Sequence, residues 1–131
     1  MFKKITIIAG LSALGIVVAL SSPATAADAE AGKKLFRQCA ACHALDGKNR
    51  VGPHLNDIVG RPVASLEDFK YSRAMATFGE DGKIWDEPLL TEYLAAPRKV
   101  VKGTTMVFAG LKKPNDIVDL IEFLKGHAAD D

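Results

Sequence analysis

Apolar residues recur along this chain with a helical rather than a strand period. Gly32, Leu35, Phe36 and Cys39 follow one another at i, i+3, i+4 and i+7, which predicts an amphipathic helix capped by Asp28 and running to about Ala41. Ile117, Leu120, Ile121 and Leu124 form the stripe of a last helix, which starts at Pro114, a residue suited to a first turn, and ends at about Lys125 before Gly126. Between them, Asp86 caps a short helix containing Leu89, Leu90, Tyr93 and Leu94 that stops before Pro97, and a further short helical piece is expected from Ser65 to Ala76. Residues 44–61 are rich in Gly, Asn, Asp and Pro and read as an ordered loop. With no strand pairs, repeats or low-complexity segments, the expected fold class is all-α. The two terminal stripes need each other, and Gly32 removes a side chain where the helices could cross closely. A glycine that merely interrupted a helix would cost about 1 kcal/mol.

The N-terminus changes the accounting. Met1 to Lys4 is basic, Ile5 to Leu20 is almost wholly apolar, and Ala24-Thr25-Ala26 follows a Ser-Ser-Pro break. This is the pattern of a secretory signal peptide over residues 1–26, leaving a mature domain over 27–131 in the periplasm. The alternative is an uncleaved membrane anchor, since the apolar run falls just short of a bilayer span. Cleavage removes two lysines and no acid, leaving 15 basic against 16 acidic side chains. Near-neutrality of that kind supplies no general drive toward nucleic acid.

The chain has two cysteines, in Cys39-Ala40-Ala41-Cys42-His43. A disulfide between them would close a ring too small to constrain the unfolded chain. The run is the attachment sequence of a c-type haem, and a chain of this composition would contain it by chance about 7 times in ten thousand. Its spacing suits the chemistry. Two thiols three positions apart on a helical end can each add to one of the two neighbouring haem vinyl groups, which carries the adjacent His43 imidazole beneath the iron as proximal ligand. A Cys-x-x-Cys redox pair expects a βαβ setting, and structural zinc expects four ligands. His54 and His127, the other histidines, read as solvated surface residues. Of two mature methionines, Met75 reads as a core gap-filler, whereas Met106 lies in a loop able to swing a thioether over the face opposite His43.

The chain resembles the class I cytochromes c, in particular the bacterial c2 type, which is similar to mitochondrial cytochrome c. The likeness spans residues 28–126 and rests on Gly-Lys-Lys-Leu-Phe before the haem motif, Gly52-Pro53-His54-Leu55, Val59-Gly60-Arg61, Tyr71-Ser72, Ile84-Trp85, the run from Gly103 to Lys113 and Asp119 to Leu124. Gly-Thr-x-Met-x-Phe-Ala-Gly is its most specific part. The resemblance implies a cytochrome c fold, with short helices and loops wrapped around one covalent haem c and iron ligated by His43 and Met106. It also implies that the Pro53 carbonyl accepts the proximal histidine's other N–H and that Arg61, Tyr71 and Trp85 meet the haem propionates. Tyr93 and Thr104 would lie near the distal methionine, and Phe108 beside the exposed haem edge. The pattern departs in three places. One residue fewer separates Gly32 from Cys39, the loop between His43 and Pro53 is two residues shorter, and Lys102 replaces a usual proline.

The implied function is a monomeric electron carrier that accepts from a cytochrome bc complex and delivers to a terminal oxidase or another periplasmic acceptor. No cluster of acids, bases or nucleophiles suggests an enzyme; the alternative class is a haem sensor or peroxidase-like protein with a replaceable sixth ligand. From Pro97 to Lys113 there are five basic residues (Arg98, Lys99, Lys102, Lys112, Lys113) and no acid, whereas Glu80 to Glu92 holds five acids against Lys83 alone. The resemblance puts the basic segment around the haem edge, with Lys33, Lys34 and Lys48 completing a docking ring.

Overall fold

A computed structural model of the chain describes residues 26–127. The expected leader, apart from Ala26, lies outside the described residues. Five helices follow in order: α1 (Ala29–Phe36), α2 (Arg73–Gly79), α3 (Glu87–Ala95), α4 (Pro97–Val100) and α5 (Pro114–Lys125). Among the described residues there is no strand, only an antiparallel bridge between Pro62 and Ile84, and no helix is long and apolar enough to cross a membrane.

The Asp28 carboxylate accepts the Glu30 and Ala31 N–H groups at 2.9 and 3.1 Å and so satisfies two donors that the first turn of α1 leaves free. Its own N–H donates to Asp119 Oδ1 of α5 at 2.8 Å. The two terminal helices cross at Gly32, where a Cβ would meet the Asp119 backbone and lie 2.7 Å from Phe123 Cβ. Only glycine fits, and the crossing expected from the two stripes is present. Phe36 then packs on Phe123 with ring centroids 5.5 Å apart. Ile117, Leu120, Ile121 and Leu124 turn into the core, where they join Leu90, Tyr93, Val101, Leu111, Ile58, Val63 and Trp85. Asp86 caps α3 through the Leu89 N–H at 2.8 Å. The first turn of α3 is tied to the end of α5 by Lys125, 2.8 Å from Glu87 and 3.3 Å from Glu122.

Two helix boundaries differ from expectation. The first helix ends at Phe36, not near Ala41, because the Arg37 and Gln38 N–H groups reach back only three residues, to Lys34 and Leu35, and the chain continues in tight turns through Cys42. The helical piece expected over Ser65–Ala76 is instead α2. Ser72 is its N-cap, with Oγ accepting the Met75 N–H at 3.2 Å, while Ala64 takes a left-handed φ of 55° that opens a non-helical stretch before it. The turn α4 was not foreseen.

The loop over residues 44–61 is ordered by a buried side chain. Asn56 donates to the Leu45 carbonyl at 2.8 Å and accepts the Gly47 N–H at 2.9 Å. Neither remaining histidine is a solvated surface residue. His127 is half-buried; its Nδ1–H donates to the Phe123 carbonyl at 2.8 Å, its ring centroid lies 4.3 Å from that of Phe123, and its carbonyl accepts the Asp57 N–H. His54 is also half-buried, and its Nδ1 is enclosed without a hydrogen-bond partner.

Candidate haem-binding cleft

A cleft of about 300 Å³ opens between the tight turns after α1, the loop at 51–61, α3 and the extended segment before α5. Cys39, Cys42, His43, Pro53, Arg61, Tyr71, Trp85, Tyr93, Thr104, Met106 and Phe108, the residues singled out from the sequence, all line it.

The proximal side is built from the turn that carries the cysteines. The Cys42 and His43 N–H groups both return to the Cys39 carbonyl, at 3.0 and 2.9 Å, which brings Cys39, Cys42 and His43 to one end of the cleft. Cys39 is half-buried, and burial pushes its thiol up to about 11, whereas Cys42 is exposed. His43 Nδ1 lies 2.7 Å from the Pro53 carbonyl. A carbonyl can only accept, so Nδ1 carries the proton and Nε2 keeps its lone pair for a metal. Burial also lowers the His43 pKa, which favours the neutral, ligating form; the Pro53 hydrogen bond opposes this, and the Arg61 charge adds to it.

The other sulfur donor comes from a different part of the chain. Met106 N–H donates to Thr104 Oγ1 at 3.2 Å, and the Tyr93 hydroxyl donates to Met106 Sδ at 3.6 Å. Tyr93 is buried on α3, and desolvation pushes its phenol up to about 12, with Thr104 opposing the rise. The segment bearing Met106 is pinned to the end of α3 by the Leu111 N–H on the Leu94 carbonyl at 2.8 Å. Gly110, at φ 95°, sits so close to the Ala95 carbonyl that no side chain fits. Met75 packs against the core, as expected of a gap-filler, but it also lines the cleft.

Trp85 is buried, its ring 4.8 Å from Tyr93, and its backbone is held by the Arg61 and Gly60 pairings beside the Pro62–Ile84 bridge. Arg61 spends its two terminal nitrogens on the His54 and Asn56 carbonyls at 3.0–3.1 Å. Its Nε–H is buried with no partner. Tyr71 Oη accepts the Leu66 N–H at 3.4 Å, with Phe69 edge-on to its ring.

These residues fit a haem. Both thiols, an imidazole with a free Nε2 and a thioether share one mostly apolar cleft, and an arginine on its wall holds an orphaned buried donor suited to an acidic substituent. No group of three or more His, Cys, Asp or Glu suited to a bare metal ion occurs among the described residues.

Several cleft residues escaped sequence reasoning. Gly52 packs against the His43 ring, Leu55, Ile58, Leu90 and Leu124 complete the apolar wall, and Val51 and Val107 stand at its mouth, 82% and 86% exposed. In the sequence Gly52 stood out only as the first residue of the Gly52-Pro53-His54-Leu55 run that carries the family resemblance.

The family model for cytochrome c matches residues 29–128. The chain is 53% identical over 97 residues to cytochrome c2 of Afifella marina, covering 72% of this chain and 78% of that one. It is 48% identical over 100 residues to cytochrome c2 iso-2 of Magnetospirillum molischianum, covering 76% and 97%. Among solved structures, cytochrome cH from Methylobacterium extorquens superposes with a TM-score of 0.69 at 40% identity, covering 76% of this chain and 98% of that one. This chain belongs to the cytochrome c family, in its class I, bacterial c2-type branch. It is a haem electron carrier and not an enzyme.

Proposed function

We propose that residues 27–131 form an exported periplasmic domain that carries one covalent haem c, with Cys39 and Cys42 as thioether anchors and His43 and Met106 as axial ligands. The supporting observation is the single cleft that gathers Cys39, Cys42 and His43 with Met106 from 63 residues further along the chain. Bound there, haem c supplies a one-electron ferric/ferrous couple.

The chain's own residues set the conditions for that couple. The Pro53 carbonyl holds the His43 Nδ1 proton and makes Nε2 more basic. Tyr93 donates to the Met106 sulfur and Thr104 holds the Met106 backbone, so the sixth ligand is held in place. A thioether favours the ferrous state, and the apolar wall disfavours the additional positive charge of the ferric state. Arg61, Tyr71 and Trp85, all on the cleft lining, would meet the propionates, and Phe108 lies on the same wall.

Electrons are taken from a cytochrome bc complex and passed to a terminal oxidase or another periplasmic acceptor. By the family resemblance the docking face is the cleft mouth; Val51 and Val107 on the cleft lining offer exposed apolar contact, and the exposed Arg98, Lys99, Lys102, Lys112 and Lys113 would bias approach toward an acidic partner. Optical spectra of the oxidised and reduced protein, with and without carbon monoxide, test the reading. A closed six-coordinate site that ignores carbon monoxide is expected, and ready binding would favour a sensor or peroxidase. Mass spectrometry of the exported protein should give a chain starting near Ala27 with haem added. An intact leader or two free thiols would contradict it.

A further inference from the structure

Four of the described glycines, Gly32, Gly52, Gly79 and Gly110, leave no room for a Cβ. Three of them face mainly backbone. Gly32 meets Asp119, Gly79 meets Val63 and Gly110 meets Ala95, so each sets how two segments pack. Gly52 alone faces a ring. A Cβ on it would lie 2.5 Å from His43 Cε1, 2.8 Å from Nδ1 and 2.9 Å from Nε2. The two nitrogen distances exceed the carbon distance by only a few tenths of an ångström. A point beyond the ring's edge would be nearly an ångström further from each nitrogen, given C–N bonds of about 1.33 Å. The Gly52 backbone therefore lies against the face of the imidazole.

The Gly52 backbone is itself anchored. Its N–H donates to the Cys42 carbonyl at 2.9 Å, and its carbonyl accepts the Arg50 N–H at 2.9 Å. The next residue, Pro53, takes the His43 Nδ1 proton, and the one after it, His54, donates its N–H to Asn49 Oδ1 at 3.0 Å. The imidazole thus meets two constraints of different kind. The hydrogen bond fixes the direction of Nδ1, and the backbone against the ring face limits rotation about the Cβ–Cγ bond.

We propose that Gly52 is a positioning residue that sets the plane of the proximal imidazole, and that any side chain there turns the ring. The inference rests on His43 being the proximal ligand. The plane of an axial imidazole decides which iron d orbital its π electrons overlap, so its orientation is read in the paramagnetic shifts of the haem methyl protons, which folding alone does not set.

The test compares the oxidised, haem-loaded protein with its Gly52→Ala and Gly79→Ala variants by proton NMR. Gly79 carries comparable crowding, 2.7 Å from the Val63 carbonyl, and is absent from the cleft lining. Gly52→Ala is expected to reorder the haem-methyl shifts while proximal-imidazole resonances persist, and Gly79→Ala to leave the pattern as it was. An unchanged pattern in a folded Gly52→Ala protein, or the same change in both variants, overturns the proposal. Should Gly52→Ala not load, the unaltered protein decides. Proton Overhauser contacts from the His43 ring to one set of haem meso protons indicate one held ring orientation, and contacts to two sets from a turning ring overturn the clamp. Failure of the underlying ligand assignment looks different, as the unaltered protein would then show no proximal-imidazole resonances.

Discussion

The Tyr93 hydroxyl donates to the Met106 sulfur across 3.6 Å, from a buried position on α3 to a segment thirteen residues away in sequence. A donor on a thioether draws electron density from it, so its loss should lower the reduction potential. Tyr93→Phe keeps the ring against Trp85 and is expected to cost no more than about 1 kcal/mol of stability. Potentiometric titration of the variant checks the direction, and an unchanged or raised potential would contradict this coupling.

The same hydroxyl has a pH signature. Burial pushes the Tyr93 phenol from 10.0 up to about 12, so the native state holds this proton more tightly than the unfolded chain does. Its contribution to stability is complete below about pH 10 and is lost as pH rises toward 12. Denaturant unfolding between these pH values should show a fall in stability that is shallower in Tyr93→Phe.

Met106→Ala is expected to open the sixth position to carbon monoxide or cyanide and to lower the potential. Met75 shares the cleft wall, so the two must be compared directly. Met75→Ala should do neither, and its cavity should cost about 2 kcal/mol, the low end for a methionine that is only partly buried. Ligand-binding spectra separate the two, and an opened site in the Met75 variant would reverse the assignment.

At the helix crossing, Gly32→Ala drives a methyl into the Asp119 backbone. The expected loss is about 1–3 kcal/mol from overpacking, with the haem spectrum of the remaining folded protein unchanged. Thermal unfolding followed at a haem band measures both. Stability equal to the parent would mean that the helices can separate freely at this point.

Lys102→Glu and Lys112→Glu should slow reaction with a membrane acceptor at low salt while leaving spectrum and potential nearly unchanged. Steering charges are screened within about 8 Å at physiological salt, so the difference from the parent should shrink as salt rises. The effect should be larger for Lys102, because Lys112 Nζ is partly engaged with the Ala109 carbonyl at 3.0 Å. Rates indifferent to salt and to both reversals would remove this face from the docking scheme.

What was legible in the sequence was local chemistry. The cysteine and histidine spacing, the caps at Asp28 and Asp86, the first-turn Pro114 and the stripe on α5 all depend on groups within about one helical turn of each other, so the linear order carries them. Even the Gly32 crossing could be anticipated, because two stripes lacked partners and one small residue interrupted a stripe. Two helix bounds were missed although they are local: α1 ends at Phe36 through bonds reaching back three residues, and α2 starts after its Ser72 cap. Tertiary packing decided what no neighbouring residue could. His54 and His127 were drawn out of solvent, while both methionines came to line one cleft. The Gly52 backbone settled on the face of the His43 ring. The buried histidines, the shared cleft and the Gly52 contact join segments whose separation in space is set by the whole core, and a side chain's burial or a missing Cβ acquires meaning only once the opposing surface is in place.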